Sequence, residues 1–315
     1  MLVKTYCAAV TALEATTITI EVNLARGTMF HLSGLADTAV KESYDRIRAA
    51  IENNGYKAPT ADLTINMSPA DIRKEGSSYD LPLAIGILAA YGKVSEELLP
   101  RYMMIGELGL DGKLKPVSGA LSIAIRARKE HYKGLIVPRE NVREAAVVNN
   151  LDVLGMDNLA EVIGFLNGEL DCEPTFVDTR NEFYKQQYSF DFDFADVRGH
   201  ENVKRALEVA AAGSHNVSLI GPPGSGKSMM AKRLPSILPP LSLAESLETT
   251  QIHSVAGILP SGTSLISQRP FRSPHHTISQ VAMTGGTQKA QPGEVSLAHN
   301  GVLFLDEINL KYLYH

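Results

Sequence analysis

Residues 17–24 alternate: Ile18, Ile20, Val22 and Leu24 point one way, and Thr17, Thr19, Glu21 and Asn23 the other. A period of two over this length predicts a half-buried strand. At residue 37 the period changes. Val40, Tyr44, Ile47 and Ile51 fall on one helical face, and the pattern stops after Asn54 at Gly55, as a helix closed by a glycine does. Leu63, Ile65 and Met67 alternate again until Ser68-Pro69, where proline ends the ladder. Residues 81–91 read as an apolar helix, 102–106 and 134–137 as short buried strands, and 119–130, 140–149 and 158–167 as helices. These elements predict an α/β fold with mixed strands. Asp80, just ahead of Leu81-Pro82, is expected to cap the apolar helix, with proline inside its first turn. Ser77 and Ser78 read as turn residues.

The pattern resumes after a gap. Residues 200–212 predict a helix and 217–220 a short buried strand, followed by a glycine-rich turn and a helix to about Leu238. Ser242-Leu243-Ala244-Glu245 has the form of a capping box opening a helix to His253. The apolar residues 302–305 predict a strand buried on both faces, as in a parallel sheet. Between the two sets lie residues 171–195, polar, acidic and without a period, which read as a linker. The division is therefore 1–170, a linker 171–194, and 195–315.

Composition agrees with two folded parts. The chain has 315 residues, 44% hydrophobic and 21% charged, which excludes a disordered chain. Its net charge of −5 gives no whole-chain signal for nucleic acid or membrane. Two cysteines, Cys7 and Cys172, exclude a disulfide scaffold and a zinc module. The absence of tryptophan and the low aromatic content of 6% argue against a base-stacking platform. The N-terminus lacks the form of a secretory signal, and the longest apolar run, 81–91, is about half of what a bilayer crossing needs. A cytoplasmic chain is expected.

The sharpest chemistry is Gly221-Pro222-Pro223-Gly224-Ser225-Gly226-Lys227-Ser228, set between a predicted strand and a predicted helix. Glycine, four residues, glycine, lysine and serine is the phosphate-loop pattern. The glycines let successive N–H groups turn toward phosphate oxygens, and the following helix offers its positive end to the same anion. Lys227 suits the β- and γ-phosphates, and the Ser228 hydroxyl suits Mg²⁺. Residues 221–229, ending at Met229, are the expected nucleotide-binding set, with ATP and Mg²⁺ as cofactors. Asp306-Glu307 follows the apolar run 302–305, where ligands meet open α/β sheets. Asp306 is expected in the Mg²⁺ shell. Glu307 is expected to orient the attacking water, with Lys227 beside it as the catalytic cation.

The run 103–141, with strand, Asp111-Gly112 turn, helix, strand and Pro138 in order, resembles the Lon-protease-type domain, related to ribosomal protein S5 domain 2. The protease would need a serine where this chain has Asp80 and a lysine where it has Leu121. Neither can do that work, so the expectation is the fold without the protease. Asp196-Val197-Arg198-Gly199-His200 looks like the entry segment of AAA+ ATPases, which borders adenine; Val197, Gly199 and His200 suit either that role or ordinary packing.

Three further strings are Ser254-Val255-Ala256-Gly257, Arg269-Pro270-Phe271-Arg272-Ser273-Pro274-His275-His276, and Pro292-Gly293-Glu294 with the six residues after it. With the Lon-like part, they closely resemble the magnesium-chelatase-like AAA+ proteins of the YifB/ComM type. The resemblance implies a Lon-like α/β domain joined to a partial P-loop NTPase (AAA+) parallel-sheet domain. It also implies an ATP-driven hexameric ring, self-associating and, in the ComM branch, a DNA helicase promoting branch migration in natural transformation. A chelatase-type motor that remodels a protein, or a protease relative, are the alternatives. Residues 251–300 carry Arg269, Arg272 and Lys289 against Glu294, a set able to line a pore facing phosphates. His275 and His276 read as loop packing or pore contact rather than metal ligands. After Asn309 the sequence departs from the family, and the polar sensor, arginine finger and lid are missing, so the expected chain is truncated after the Asp-Glu strand. It is expected to bind nucleotide and to hydrolyse it poorly.

Overall fold

The computed structural model describes residues 2–306 apart from 26, 28, 58–61, 189, 191 and 287–289. The chain divides into two compact units, Met1–Val177 with Ser254–Ser264, and Asp178–His253 with Leu265–His315.

In the first unit, strands β1 (Leu2–Thr11) and β2 (Glu14–Ala25) form a hairpin in which Val3 faces Val22 and Cys7 faces Ile18. β3 (Phe30–Ser33) leads to helix α1 (Thr38–Asn53), which Asp37 caps by accepting from Val40 N. β4 (Asp62–Ser68) returns beside β2, and α2 (Asp80–Ala90) follows. Then come β5 (Tyr102–Met104), the short pair β6 (Glu107–Leu108) and β7 (Leu114–Lys115), and α3 (Ala120–Lys129). β8 (Gly134–Pro138), α4 (Val142–Ala145), β9 (Asp152–Met156) and α5 (Leu159–Leu166) complete the unit. One seven-stranded sheet runs β3-β4-β2-β1-β5-β8-β9, parallel except around β2. The alternation read at 17–24 is what the sheet uses: Ile18, Ile20 and Val22 are buried, whereas Leu24 is half-exposed.

α2 is buried along its whole length, as its unbroken apolar sequence requires. It lies so close to the sheet that a Cβ on Gly86 would sit 2.9 Å from Val22 Cγ2. Thr5, on the same face, donates its hydroxyl to Pro82 O at 2.9 Å. The opposite face of β2 meets α3, where Arg126 Nε donates to Thr17 Oγ1 at 3.3 Å.

Asp80 does not cap α2. Tyr79 holds the cap position, and Asp80 is the first helical residue, fully buried. Its carboxylate accepts from Arg46 Nε and Nη2, both at 3.0 Å, and from Leu108 N at 3.3 Å. The local rule for Asp before proline loses to a partner 34 residues away, because a buried carboxylate requires a cation more than a helix end requires a cap. Burial pushes the Asp80 carboxyl up against the pull of Arg46, and the same bonds hold Arg46 above its ordinary value. Ser77 instead donates to Glu107. Leu121 is fully buried in α3, so neither protease position carries a nucleophile or a base.

The second unit holds α6 (Thr179–Gln186), α7 (Glu201–Ala212), α8 (Lys227–Ala231), α9 (Leu234–Ile237) and α10 (Leu243–Val255), the last ending across the boundary of the units. β10 (Phe271–Arg272), α11 (Gln280–Thr284), β11 (Gly285–Gly286), β12 (Gln291–Pro292), α12 (Glu294–Leu297) and β13 (Val302–Leu303) follow. The expected parallel sheet is reduced, among the described residues, to the parallel pair β10–β13 and the antiparallel pair β11–β12. Residues 217–220 form no strand, and Ile220 is 94% exposed. A strand exists only through its neighbours' hydrogen bonds, and no described strand lies alongside this one. The expected helix to Leu238 breaks between α8 and α9 because Pro235 has no N–H to donate to the preceding turn. The capping box forms as read: Ser242 Oγ accepts from Glu245 N at 3.2 Å and Glu245 Oε2 accepts from Ser242 N at 2.7 Å. Among the described residues no helix is long and apolar enough to cross a membrane.

The Arg46–Asp80 pair sets a testable cost. Arg46→Ala should lower the stability of the first unit by about 3–5 kcal/mol in urea unfolding, because it strands a buried carboxylate. Replacing both partners, Arg46→Met with Asp80→Leu, should recover most of that loss. A single variant as stable as the parent would show that the pair is dispensable.

Candidate nucleotide site

The turn 221–228 has the backbone its glycines predict. Gly224 and Gly226 sit at φ +77° and +83°, left-handed angles that cost a side-chain-bearing residue about 1–2 kcal/mol. α8 starts directly after Gly226, at Lys227. Lys227 Nζ folds back over the turn and donates to Gly221 O at 2.9 Å and Pro222 O at 3.0 Å. The ammonium is thus already held above the loop. Ser228 Oγ donates to Asp306 Oδ2 at 3.1 Å across 78 residues of sequence. Met229 is partly exposed, while Met230 beside it is buried.

Asp306 owes its position to a short ladder. Phe271 pairs with Val302 and Arg272 with Leu303, and Pro270 O and Arg272 O each accept at 2.8 Å, from Val302 N and Phe304 N. Residues 302–304 are half-buried and Leu305 is exposed. The expected burial on both faces is not found, for want of described strands on the far side. Side chains make up the difference. Arg272 forms two parallel bonds to Glu294, at 2.7 and 2.6 Å, the geometry in which Arg–carboxylate pairs are strongest. Arg269 donates to Pro239 O and Asn300 O, both at 2.6 Å, and pairs with Glu245 at 3.4 Å. Asn300 in turn donates to Glu245 O and Thr249 Oγ1 at 3.3 Å. His253 Nε2 faces Leu297 O at 2.9 Å, and burial keeps its ring toward the neutral form.

Two arginines expected to face phosphates are therefore engaged within the unit. Lys289 and Glu307 lie outside the described residues. The rings of His275 and His276 lie against each other, centroids 4.1 Å apart, rather than diverging. Among the described residues no group of three or more His, Cys, Asp or Glu is placed to hold a metal. In the entry segment, Val197 is buried, and Gly199 and His200 both have positive φ just before α7. Arg233 ties this segment to the helices after the loop, donating to Asp193 O at 3.0 Å and pairing with Asp196 at 3.4 Å. The sequence strings contained Arg272 and Glu294 but not Arg233, and no period marks partners 22 or 37 residues apart.

A glycine turn with a lysine and a serine, set opposite a strand-end aspartate, and joined to a Lon-like α/β unit, defines a P-loop protein of the AAA+ type. The comparisons place it more narrowly. Residues 193–311 match the family model described as magnesium chelatase, subunit ChlI, and residues 20–141 match the model for subunit ChlI of Mg-chelatase. The chain is 45% identical to YifB of Escherichia coli over 94% of its length and 57% of the relative's. It is 39% identical to competence protein ComM of Haemophilus influenzae over 96% of its length and 59% of the relative's. Lon protease 2 of Bacillus subtilis is 25% identical over 45% of the chain. The chain is thus similar to the magnesium-chelatase-like proteins YifB and ComM along nearly all of its length, and it spans about 60% of the length of the curated relatives it matches.

The Arg272–Glu294 clasp carries a pH signature. Bonding to Arg272 holds the Glu294 carboxyl below its ordinary 4.5. A depressed folded value means stability that is complete above the ordinary value and lost as pH falls through the folded one. Urea midpoints of the parent should drop between about pH 5 and about pH 3. Glu294→Gln should be weaker at neutral pH and show a shallower drop. An identical pH slope in parent and variant would exclude this clasp as a source.

Proposed function

We propose that the turn 221–228 binds the phosphates of ATP, with Mg²⁺ held between Ser228 and Asp306. The supporting observation is the 3.1 Å contact from Ser228 Oγ to Asp306 Oδ2 beside a turn already shaped by two left-handed glycines. Hydroxyl and carboxylate oxygens are what a hard divalent ion takes, and Mg²⁺ characteristically uses one or two protein ligands with phosphate and water completing its shell. Two protein oxygens suit it where an all-protein metal cage would not. The ion's contribution is to neutralise charge on the phosphates. Lys227 exchanges its two carbonyl partners for phosphate oxygens, which offer the ammonium a full charge in place of dipoles. Glu307, next along the chain, is the proposed residue that orients water.

In the longer protein we read this site as the motor of a self-assembling hexameric ring acting on DNA. That reading rests on the likeness to ComM. Arg269 and Arg272 do not supply the phosphate contacts, since Glu245, Glu294 and backbone carbonyls hold them. Remodelling of a protein partner is the second reading, and those engaged arginines favour it over a basic pore.

Nucleotide affinity should fall about tenfold or more in Lys227→Ala, measured by titration with a fluorescent ATP analogue. Asp306→Asn should keep affinity without Mg²⁺ and lose most of the gain that Mg²⁺ gives. Unchanged binding in Lys227→Ala refutes the site. ATPase activity of the longer protein that rises with DNA and falls with salt supports the DNA reading; indifference to DNA supports the protein one.

A further inference from the structure

The first unit contains a cavity of about 220 Å³ that the nucleotide site does not use. Its walls come from residues 116–118, from 140–144, and from the segment 254–263, which belongs to this unit. That volume is below the roughly 300–1,000 Å³ of pockets for drug-sized ligands, so it suits one small head group on a short chain.

Its chemistry is one-sided. The polar side chains lining it are the carboxylates of Glu140 and Glu144, the amide of Asn141 and four hydroxyls, with no basic side chain. Asn141 is fixed at both ends: its Oδ1 accepts from Val117 N at 2.9 Å, and its Nδ2 donates to Val117 O at 2.8 Å and Glu144 Oε1 at 2.7 Å. The amide is fully committed and locks the Glu144 carboxylate in orientation. Glu144 is only 5% exposed, and its second oxygen, Oε2, has no hydrogen-bond partner. Ser254, 2% exposed, also has a partnerless hydroxyl. Burial pushes the Glu144 carboxyl up, and the nearby Asn141 and Ser254 pull against that, although Ser254 closes no bond of ordinary geometry with it. Buried polar atoms are nearly always bonded, and an unpaired buried carboxylate oxygen is costly. A donor entering the cavity would satisfy both atoms.

We propose that this cavity binds a small organic cation, an alkylammonium or guanidinium head group, with Glu144 as its main partner, Ser254 beside it and Glu140 at the mouth. A cation meets only acceptors and hydroxyls here, whereas an anion would meet two carboxylates. A neutral alcohol gains a hydrogen bond without the charge.

The test uses three probes of equal length, n-butylammonium, n-butanol and butyrate, titrated into the full chain at fixed ionic strength and read by ligand-observed NMR. Saturable binding of n-butylammonium, roughly tenfold or more tighter than butanol, with butyrate excluded, is expected. Glu144→Gln should cost the cation about tenfold while leaving butanol nearly unchanged. Should that variant fail to fold by circular dichroism, the rim substitution Ser261→Leu, which fills the cavity, should abolish binding. Equal affinity for cation and alcohol, cation binding that survives Glu144→Gln or Ser261→Leu, or no saturable binding of any probe (a cavity for water only) overturns the proposal.

Discussion

Arg272 gives its guanidinium to Glu294, and much of the second unit's order follows from that pairing. The parallel ladder that ends at Asp306 is only two residues long on each strand. A ladder so short holds few hydrogen bonds and little buried area, and it cannot fix a side chain by itself. Arg272 grows from one of its strands, and Glu294 opens α12 just ahead of the other. Arg269 then connects the same region to Asn300 and to the loop before α10. The carboxylate of Asp306 therefore reaches Ser228 because side chains fasten what the backbone barely pairs. The string Arg269–His276 is, in this structure, part of what builds the aspartate's support.

The first unit is stable on different grounds. Its sheet buries continuous apolar rows against α2 and α3, and its fully buried Asp80 is matched by an arginine. The Lon-like layout holds an aspartate and a leucine at the two positions read as the protease's, the first paired with Arg46 and the second packed in α3. Fold and chemistry are separable here: the scaffold needs the burial pattern, and a nucleophile and base are needs of the protease reaction alone.

How much was legible depends on the range of the interaction. Residues 17–24, 38–53 and 62–68 were readable because each has a single period and one buried face. The Ser242–Glu245 box was readable because its partners are three residues apart. The phosphate loop was readable because its glycines serve the backbone locally. The errors share a cause. Asp80 follows a local capping rule but answers to Arg46. Residues 217–220 are apolar enough for a strand, yet pairing is a property of neighbours. Residues 302–305 look doubly buried for the same reason. Pro235 was in plain view and broke a helix that apolar spacing alone had extended. The segment 254–264 belongs with the first unit although it lies deep in the second half of the sequence, and no local pattern signals that return.

Asn141 shows how narrow one side chain's tolerance can be. Its carboxamide presents an acceptor to one backbone amide and a donor to two oxygens, a pattern aspartate has in only one half. Hydrolysis of that amide, the slow ageing reaction of asparagines, would bring three oxygens together in a buried wall. The molecule would then carry a chemical clock, in which the loss of one ammonia pries open the lining of a chamber whose mouth, at Glu140 and Ser261, meets solvent.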